Sequence, residues 1–282
     1  MKFGNRTITC DTFNFPRLTL AELHALSGLE VGAVADCDVL GIVRWNGFFW
    51  EVIQAIKENF IQTNTGNAIS FSSTTATGGS LSTEIPKSQA WWNGAVGYPR
   101  LGQASLSITT VAGARQAINT ASNYRLYSSA KIYFDVILSF VGGQVDFVND
   151  ATLQCWGFLD SFATATPTNG FYFRTPRVGE SSFLKAVVRV AGAETITDTT
   201  IPYDSTNRRY IKGSIIWDGT NLHFWATDTI NKSLVSIPNF LTTYPSLSTL
   251  NFSFGVLNAR NATATTPVAR NINIDSISTL LL

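Results

Sequence analysis

Residues 211–226, reading IKGSIIWDGTNLHFWA, leave this chain few folds to choose from. Ile211, Gly213, Ile215 and Trp217 fall on one face of an extended strand. Beyond Asp218-Gly219-Thr220-Asn221, the residues Leu222, Phe224 and Ala226 alternate in the same manner. Alternation on both sides of a short Gly-containing loop specifies a β-hairpin. An isolated hairpin is marginal in water, so its apolar face demands further strands.

The chain downstream of residue 65 supplies them. Apolar alternation bounded by Gly, Pro, Asn and Asp predicts strands over 105–111, 131–140, 153–158, 170–174, 183–190, 209–218, 222–227, 250–257 and 271–277. Many short strands with almost no helical period define a mostly β chain, an antiparallel sandwich of two sheets packed face to face. The polar, Gly-rich run 63–83 separates this region from what precedes it, so the expected division is 1–64 and 65–282.

The first part reads as a small helix followed by a β-meander. Thr19 and Glu22 form a capping box ahead of Leu20, Leu23 and Leu26, and Gly28 supplies the stop. Strands are expected over 31–35, 41–45 and 48–53, with turns at Asp36-Cys37-Asp38 and Asn46-Gly47, the latter of a kind that closes two-residue hairpins. A short strand or arm is expected before the helix, and a helix over 54–62. The triplet Trp-Asn/Asp-Gly occurs at 45–47, 92–94 and 217–219, at spacings too irregular for a repeat architecture.

Composition narrows the function. Charged residues are only 14% of the 282, against roughly 25% in ordinary soluble domains, while 45% are hydrophobic. Such a surface suits burial against partner subunits. A net charge of +1 without a Lys/Arg cluster argues against nucleic-acid binding. No run of about 18 apolar residues predicts a membrane span, and the N-terminus lacks the apolar core of a signal peptide. Cys10, Cys37 and Cys155 share no close spacing, so neither a disulfide framework nor a zinc site is expected, and folding in a reducing cytoplasm is the simplest account.

Two stretches resemble known proteins. Residues 29–53, with Val31-Gly32-Ala33-Val34, Gly41-Ile42-Val43-Arg44-Trp45-Asn46-Gly47 and Trp50, resemble a small hairpin module repeated in bacteriophage tail-fibre and other virion surface proteins. That resemblance implies packing of the module around a threefold axis, with Trp45, Asn46, Gly47 and Trp50 as oligomerisation residues. Residues 65–282 look like a concanavalin A-like jelly roll, carried by Lys131–Val136, the Trp217-Asp218-Gly219 hairpin and the closing strand at Asn271–Asp275. The Glu-x-Asp-x-Glu strand expected of glucanases with that fold is missing, and legume-type metal spacing is not recognisable.

Few residues offer chemistry. His24 lies on the short helix, and His223 alternates out of phase with Leu222 and Phe224. Pairing His223 with Asp218 or Asp228 and a serine would make a hydrolytic triad, but no Gly-x-Ser-x-Gly elbow supports it. Asp36 and Asp38 fall in a turn, where Asp is common for backbone bonding. No catalytic residue, metal ligand or cofactor is therefore assigned, and no enzyme activity is expected. Glycan contact has better candidates: Trp91, Trp92 and Tyr98 in a Gly/Pro loop, and His223 with Trp225 on one strand face. Against this, Trp91 and Trp92 also suit a plug at the sandwich end or a subunit contact.

The reading is a phage virion surface protein made in the host cytoplasm: an attachment and trimerisation module followed by a jelly-roll head. Its expected partners are copies of itself, other virion proteins and host surface polysaccharide. The alternatives are a capsid decoration or head-fibre protein with a purely structural role and, less favoured, a glycan depolymerase. A homotrimer follows from the module and the sparse charge, so light scattering at micromolar concentration should return three times the 30.7 kDa chain mass. A stable monomer would contradict it.

Overall fold

The computed structural model describes residues 17–47, 49–54, 71–76, 79–83, 100–120, 124–141, 149–203, 211–228 and 230–281. These belong to two compact units that divide between Ile56 and Lys57. The division expected near residue 65 and the Trp91, Trp92 and Tyr98 loop lie outside the described residues, as does the helix expected over 54–62 except for Gln54, which is the last residue of a strand.

The first unit is a four-stranded sheet in the order β1 (Arg17–Leu18), β2 (Val34–Cys37), β3 (Gly41–Trp45), β4 (Trp50–Gln54). The helix Leu20–Ala25 connects β1 to β2, and its capping box is formed: Glu22 N–H donates to Thr19 Oγ1 at 3.2 Å and Thr19 N–H to Glu22 Oε2 at 2.8 Å. Two details differ from the expected meander. The first strand begins at Val34 because Val31 and Gly32 make a turn, from which Gly32 N–H reaches Trp45 O at 2.7 Å. The second hairpin closes with four residues, 46–49, and not two. Gly47 takes φ +104°, but Asn46 acts through its side chain, accepting the Phe49 N–H at 3.0 Å and donating to Glu51 Oε1 at 3.0 Å. Trp45 and Trp50 consequently pair across the strands, edge to face at 5.6 Å, with Trp50 buried and Trp45 half-buried.

Among the described residues the second unit is a jelly-roll β-sandwich of two seven-stranded sheets. Its strands are β5 (Phe71–Thr75), β6 (Gly79–Thr83), β7 (Arg100–Ile108), β8 (Arg115–Thr120), β9 (Ile132–Val141), β10 (Thr152–Leu159) and β11 (Gly170–Arg174). They continue with β12 (Phe183–Val190), β13 (Ala193–Pro202), β14 (Ile211–Trp217), β15 (Leu222–Thr227), β16 (Lys232–Ile237), β17 (Ser253–Arg260) and β18 (Arg270–Leu281). The first sheet runs β13-β12-β11-β10-β17-β8-β5 and the second β16-β15-β14-β9-β18-β7-β6. Every pairing within both is antiparallel. The centre of each sheet joins strands far apart in sequence, β10 with β17 and β9 with β18, so neither sheet forms from local hairpins alone.

Strands 170–174, 183–190 and 222–227 keep their expected bounds. Four others, β6, β8, β13 and β16, are not expected from apolar alternation, and β6 lies at a sheet edge. β13 and β16 are sheet edges, and the inward Thr120 of β8 is satisfied by accepting the Phe254 N–H at 3.1 Å.

Aromatic rings fill the space between the sheets. Phe134 of the second sheet stacks on Phe254 of the first at 4.1 Å and meets the edge of Phe158 at 4.7 Å. Trp156, stacked on Phe173 at 4.9 Å, presses its ring onto β14 where Gly213 lies. Toward one end, buried Asp150 takes Arg260 Nε at 3.0 Å and Arg270 Nε at 2.6 Å, and accepts the Val268 N–H at 2.9 Å. The Arg260 guanidinium also donates to the carbonyls of Thr109 and Val268, which ties three connections together.

A Cβ on Gly213 would lie 2.5 Å from the Trp156 ring, which Phe173 holds from behind. Gly213→Ala should therefore lower stability by about 1–3 kcal/mol, read as a fall in urea midpoint at unchanged slope.

Candidate functional site

The site grows out of the hairpin joining β14 to β15. Asp218 shapes its corner: Oδ1 accepts the N–H groups of Thr220 at 2.8 Å and Asn221 at 2.6 Å, and Oδ2 accepts Asn221 Nδ2 at 3.0 Å. Gly219, at φ +98°, passes so close to Ser128 O that a Cβ would lie 2.6 Å from it. Trp217 Nε1 donates to Tyr127 O at 2.8 Å, so the corner is clamped onto the neighbouring loop.

Asp218 Oδ2 also lies 3.0 Å from His223 Nε2, and His223 Nδ1 lies 2.8 Å from Ser236 Oγ. A carboxylate only accepts, so the proton of the neutral ring sits on Nε2 and Nδ1 accepts from the Ser236 hydroxyl. His223 and Ser236 are direct cross-strand partners. Ser236 is exposed, whereas the side chains of His223 and Asp218 retain only 12% and 15% of their exposure. Burial works to raise the Asp218 pKa, but hydrogen bonds from His223 and the loop N–H groups outweigh it, holding the carboxyl well below the usual range.

Trp225 shares the outward face with His223, two residues along β15, and is half-buried. Its register partners are Ser214 on β14 and Leu234 on β16. Beyond Ser214 stands Asp135, whose Oδ2 accepts Lys212 Nζ at 3.0 Å and the Tyr133 hydroxyl at 3.2 Å. The outer face thus passes from a buried polar lattice over β9 and β14 to an accessible border over β15 and β16. At that border an indole, an imidazole and a hydroxyl stand on one rigid surface.

Of the expected glycan-contact residues, the structure brings His223 and Trp225 together. Trp45, Asn46, Gly47 and Trp50 belong to the first unit, where they build a hairpin. His24 is half-buried on the short helix. Asp36 lies in β2, and Asp38 opens the turn 38–40, so they do not face one another across a cleft. Cys37 and Cys155 are buried free thiols, and among the described residues no group of three His, Cys, Asp or Glu side chains could hold a metal.

Sequence reasoning did not single out Ser236, since β16 itself carries no alternation clear enough to place it opposite His223. It also missed an ionic layer on the outer face of the first sheet. There Glu194 engages Arg174 at 3.2 Å, Arg177 at 2.9 Å and Arg189 at 3.0 Å, while Arg174 also meets Glu180 at 2.7 Å. Burial would raise the Glu194 pKa, but the guanidinium groups of Arg174 and Arg177 prevail and lower it. Each carboxylate there is already matched, so the layer reads as a staple across β11, β12 and β13.

No family model matches the chain, and no curated protein matches it. Solved structures do. The seed lectin of Lotus tetragonolobus matches at 12% identity and TM-score 0.47 over 79% of this chain and 96% of its own. Peanut lectin in complex with a 9-residue peptide matches at 13% and 0.44 over 79% and 95%. The family 7 alginate lyase A1-II' with bound product matches at 11% and 0.45 over 64% and 80%. The likeness is one of sheet arrangement and assigns no residue here a role. The class, a two-sheet antiparallel jelly roll, stands on the pairings described above.

The corner makes its own prediction. Asp218→Ala strands four donors and should cost about 1–3 kcal/mol. Because the Asp218 carboxyl is more acidic folded than unfolded, its contribution is full above its ordinary pKa of 3.8 and is lost as pH falls through the lower folded value. Urea titrations between pH 7 and pH 3 should show the variant losing less stability on acidification than the parent.

Proposed function

We propose that this is a bacteriophage virion surface protein of tail-fibre or receptor-binding type. Its jelly-roll unit holds host surface polysaccharide against the outer border of the second sheet, and its first unit attaches and trimerises the head. The observation that carries the glycan reading is Trp225, half-buried and outward, beside His223 and the exposed Ser236 on adjacent strands. A sugar ring presents apolar C–H faces that stack on an indole, and hydroxyls that exchange hydrogen bonds with fixed polar groups. The rigid Asp218 corner keeps His223 oriented without a ligand, so little ordering entropy remains to be lost on binding. The virion reading rests on the resemblance of residues 29–53 to phage hairpin modules. In this reading the protein binds the glycan chain and leaves its glycosidic bonds intact.

Titration calorimetry with purified host polysaccharide should give saturable binding, with no oligosaccharide released on prolonged incubation. Trp225→Ala should weaken that binding roughly tenfold or more, as expected of a central aromatic contact. Absence of binding by the parent protein would favour the decoration or head-fibre role, and released oligosaccharide would favour a depolymerase.

A further inference from the structure

We propose that Ser236, His223 and Asp218 form an ester-hydrolysing site on the open edge of the second sheet, one that removes small O-acyl groups such as acetyl. This departs from the expectation of a chain without catalytic residues. It goes beyond glycan binding but stands beside it. The suggestion that the acyl groups decorate a polysaccharide lying on Trp225 rests on that earlier reading.

Three observations carry it. First, the three residues are linked in a single line, Ser236 Oγ to His223 Nδ1 at 2.8 Å and His223 Nε2 to Asp218 Oδ2 at 3.0 Å. The acid fixes the tautomer, and the ring nitrogen facing the serine is left to act as base. The two ring nitrogens are used in the opposite sense from the serine-protease arrangement, which changes neither the direction of proton flow nor the charge balance. Second, exposure is graded in the useful order. The serine is open to solvent, while the histidine and the acid behind it are largely covered, and Asp218 is further held by Thr220 and Asn221.

Third, the backbone of Ser236 is turned to help. Asp228 N–H bonds Asn231 O at 3.0 Å at the closed end of the β15–β16 hairpin. Counting outward from that pair, hydrogen-bonded and non-hydrogen-bonded pairs alternate, and His223 with Ser236 falls on a non-hydrogen-bonded pair. Side chains approach more closely at such pairs, which is why imidazole and hydroxyl meet. The Ser236 N–H then points away from β15, toward the edge of the sheet, where β16 is the last strand. Lys232, in the same phase, shows that direction directly, since its carbonyl accepts the Thr200 hydroxyl at 2.7 Å from outside the sheet. The nucleophile's own N–H is thereby available as an oxyanion donor.

The chemistry balances without a co-reactant other than water. Ser236 Oγ attacks the acyl carbonyl carbon as its proton passes to His223 Nδ1. The tetrahedral intermediate collapses, the C–O bond to the alcohol breaks, and the leaving oxygen takes that proton. Water then attacks the acyl-serine, giving its proton to Nδ1. Release of the carboxylic acid restores the serine hydroxyl. A single assured oxyanion donor suits esters, whose alkoxide leaves readily, better than amides. Nothing in the arrangement addresses a glycosidic bond.

The test uses the full chain and needs no glycan, so its outcome is independent of polysaccharide binding. A fluorophosphonate should phosphonylate Ser236, located by peptide mass spectrometry, and the protein should turn over p-nitrophenyl acetate. Ser236→Ala should abolish both. His223→Asn should slow turnover by roughly a hundredfold or more while circular dichroism stays unchanged. An unlabelled Ser236 in the folded parent, or a Ser236→Ala variant that hydrolyses p-nitrophenyl acetate at the parent rate, would falsify the proposal.

Discussion

The contact of the Trp156 ring with the bare backbone of Gly213 sets the spacing of the two sheets at the middle of the sandwich. Where the Trp156 ring meets β14 there is no room for a side chain, and Gly213 leaves that space. Phe173 backs the indole on its own sheet, and Ile211, Ile215 and Trp217 flank the gap on the other. The alternation of β14 is therefore an apolar face with one deliberate omission. With that face held inward, Lys212, Ser214 and Ile216 turn outward, and the register of β15 places His223 and Trp225 on the same outer surface.

Sparse charge takes on a second meaning once the fold is known. Several of the chain's charged groups are inside: Asp150 with Arg260 and Arg270, Asp135 with Lys212, and Arg174 and Lys185 on the outer face of the first sheet. Buried ions are costly unless paired and hydrogen-bonded, and these are, so they fix connections and register at little net gain in stability. Ser, Thr and Asn cover much of the remaining surface. Composition alone assigned the shortage of charge to burial between subunits; with several of the few charges inside, the surface of the single chain carries still less charge than composition implies.

The Trp-Asn/Asp-Gly triplet serves different ends in the two units. At Trp45-Asn46-Gly47 the Asn side chain caps a four-residue loop and sets two tryptophans edge to face. At Trp217-Asp218-Gly219 the Asp caps the corner through Oδ1, and Oδ2, which also takes Asn221 Nδ2, orients a histidine. The difference is one of chemistry. Asn46 divides its amide between accepting the Phe49 N–H and donating to Glu51, whereas the Asp218 carboxylate, an acceptor at both oxygens, holds three loop donors and an imidazole at once.

The strand content, the sandwich and the capping box were legible in the sequence because each rests on local periodicity or on a pair of residues three apart. His223 and Trp225 were legible for the same reason, since residues two apart on a strand share a face. Strands β6, β8, β13 and β16 were not, because edge positions and satisfied inward polar groups erase the apolar alternation that marks a strand. Ser236 lies thirteen residues beyond His223 and meets it only through the pairing of β15 with β16, so no local spacing could announce the contact. The sequence by itself determined that the 211–226 hairpin forms and which of its faces is apolar. Tertiary structure alone decided what stands against the other face, because cross-strand register and the direction of an edge N–H are properties of the assembled sheet.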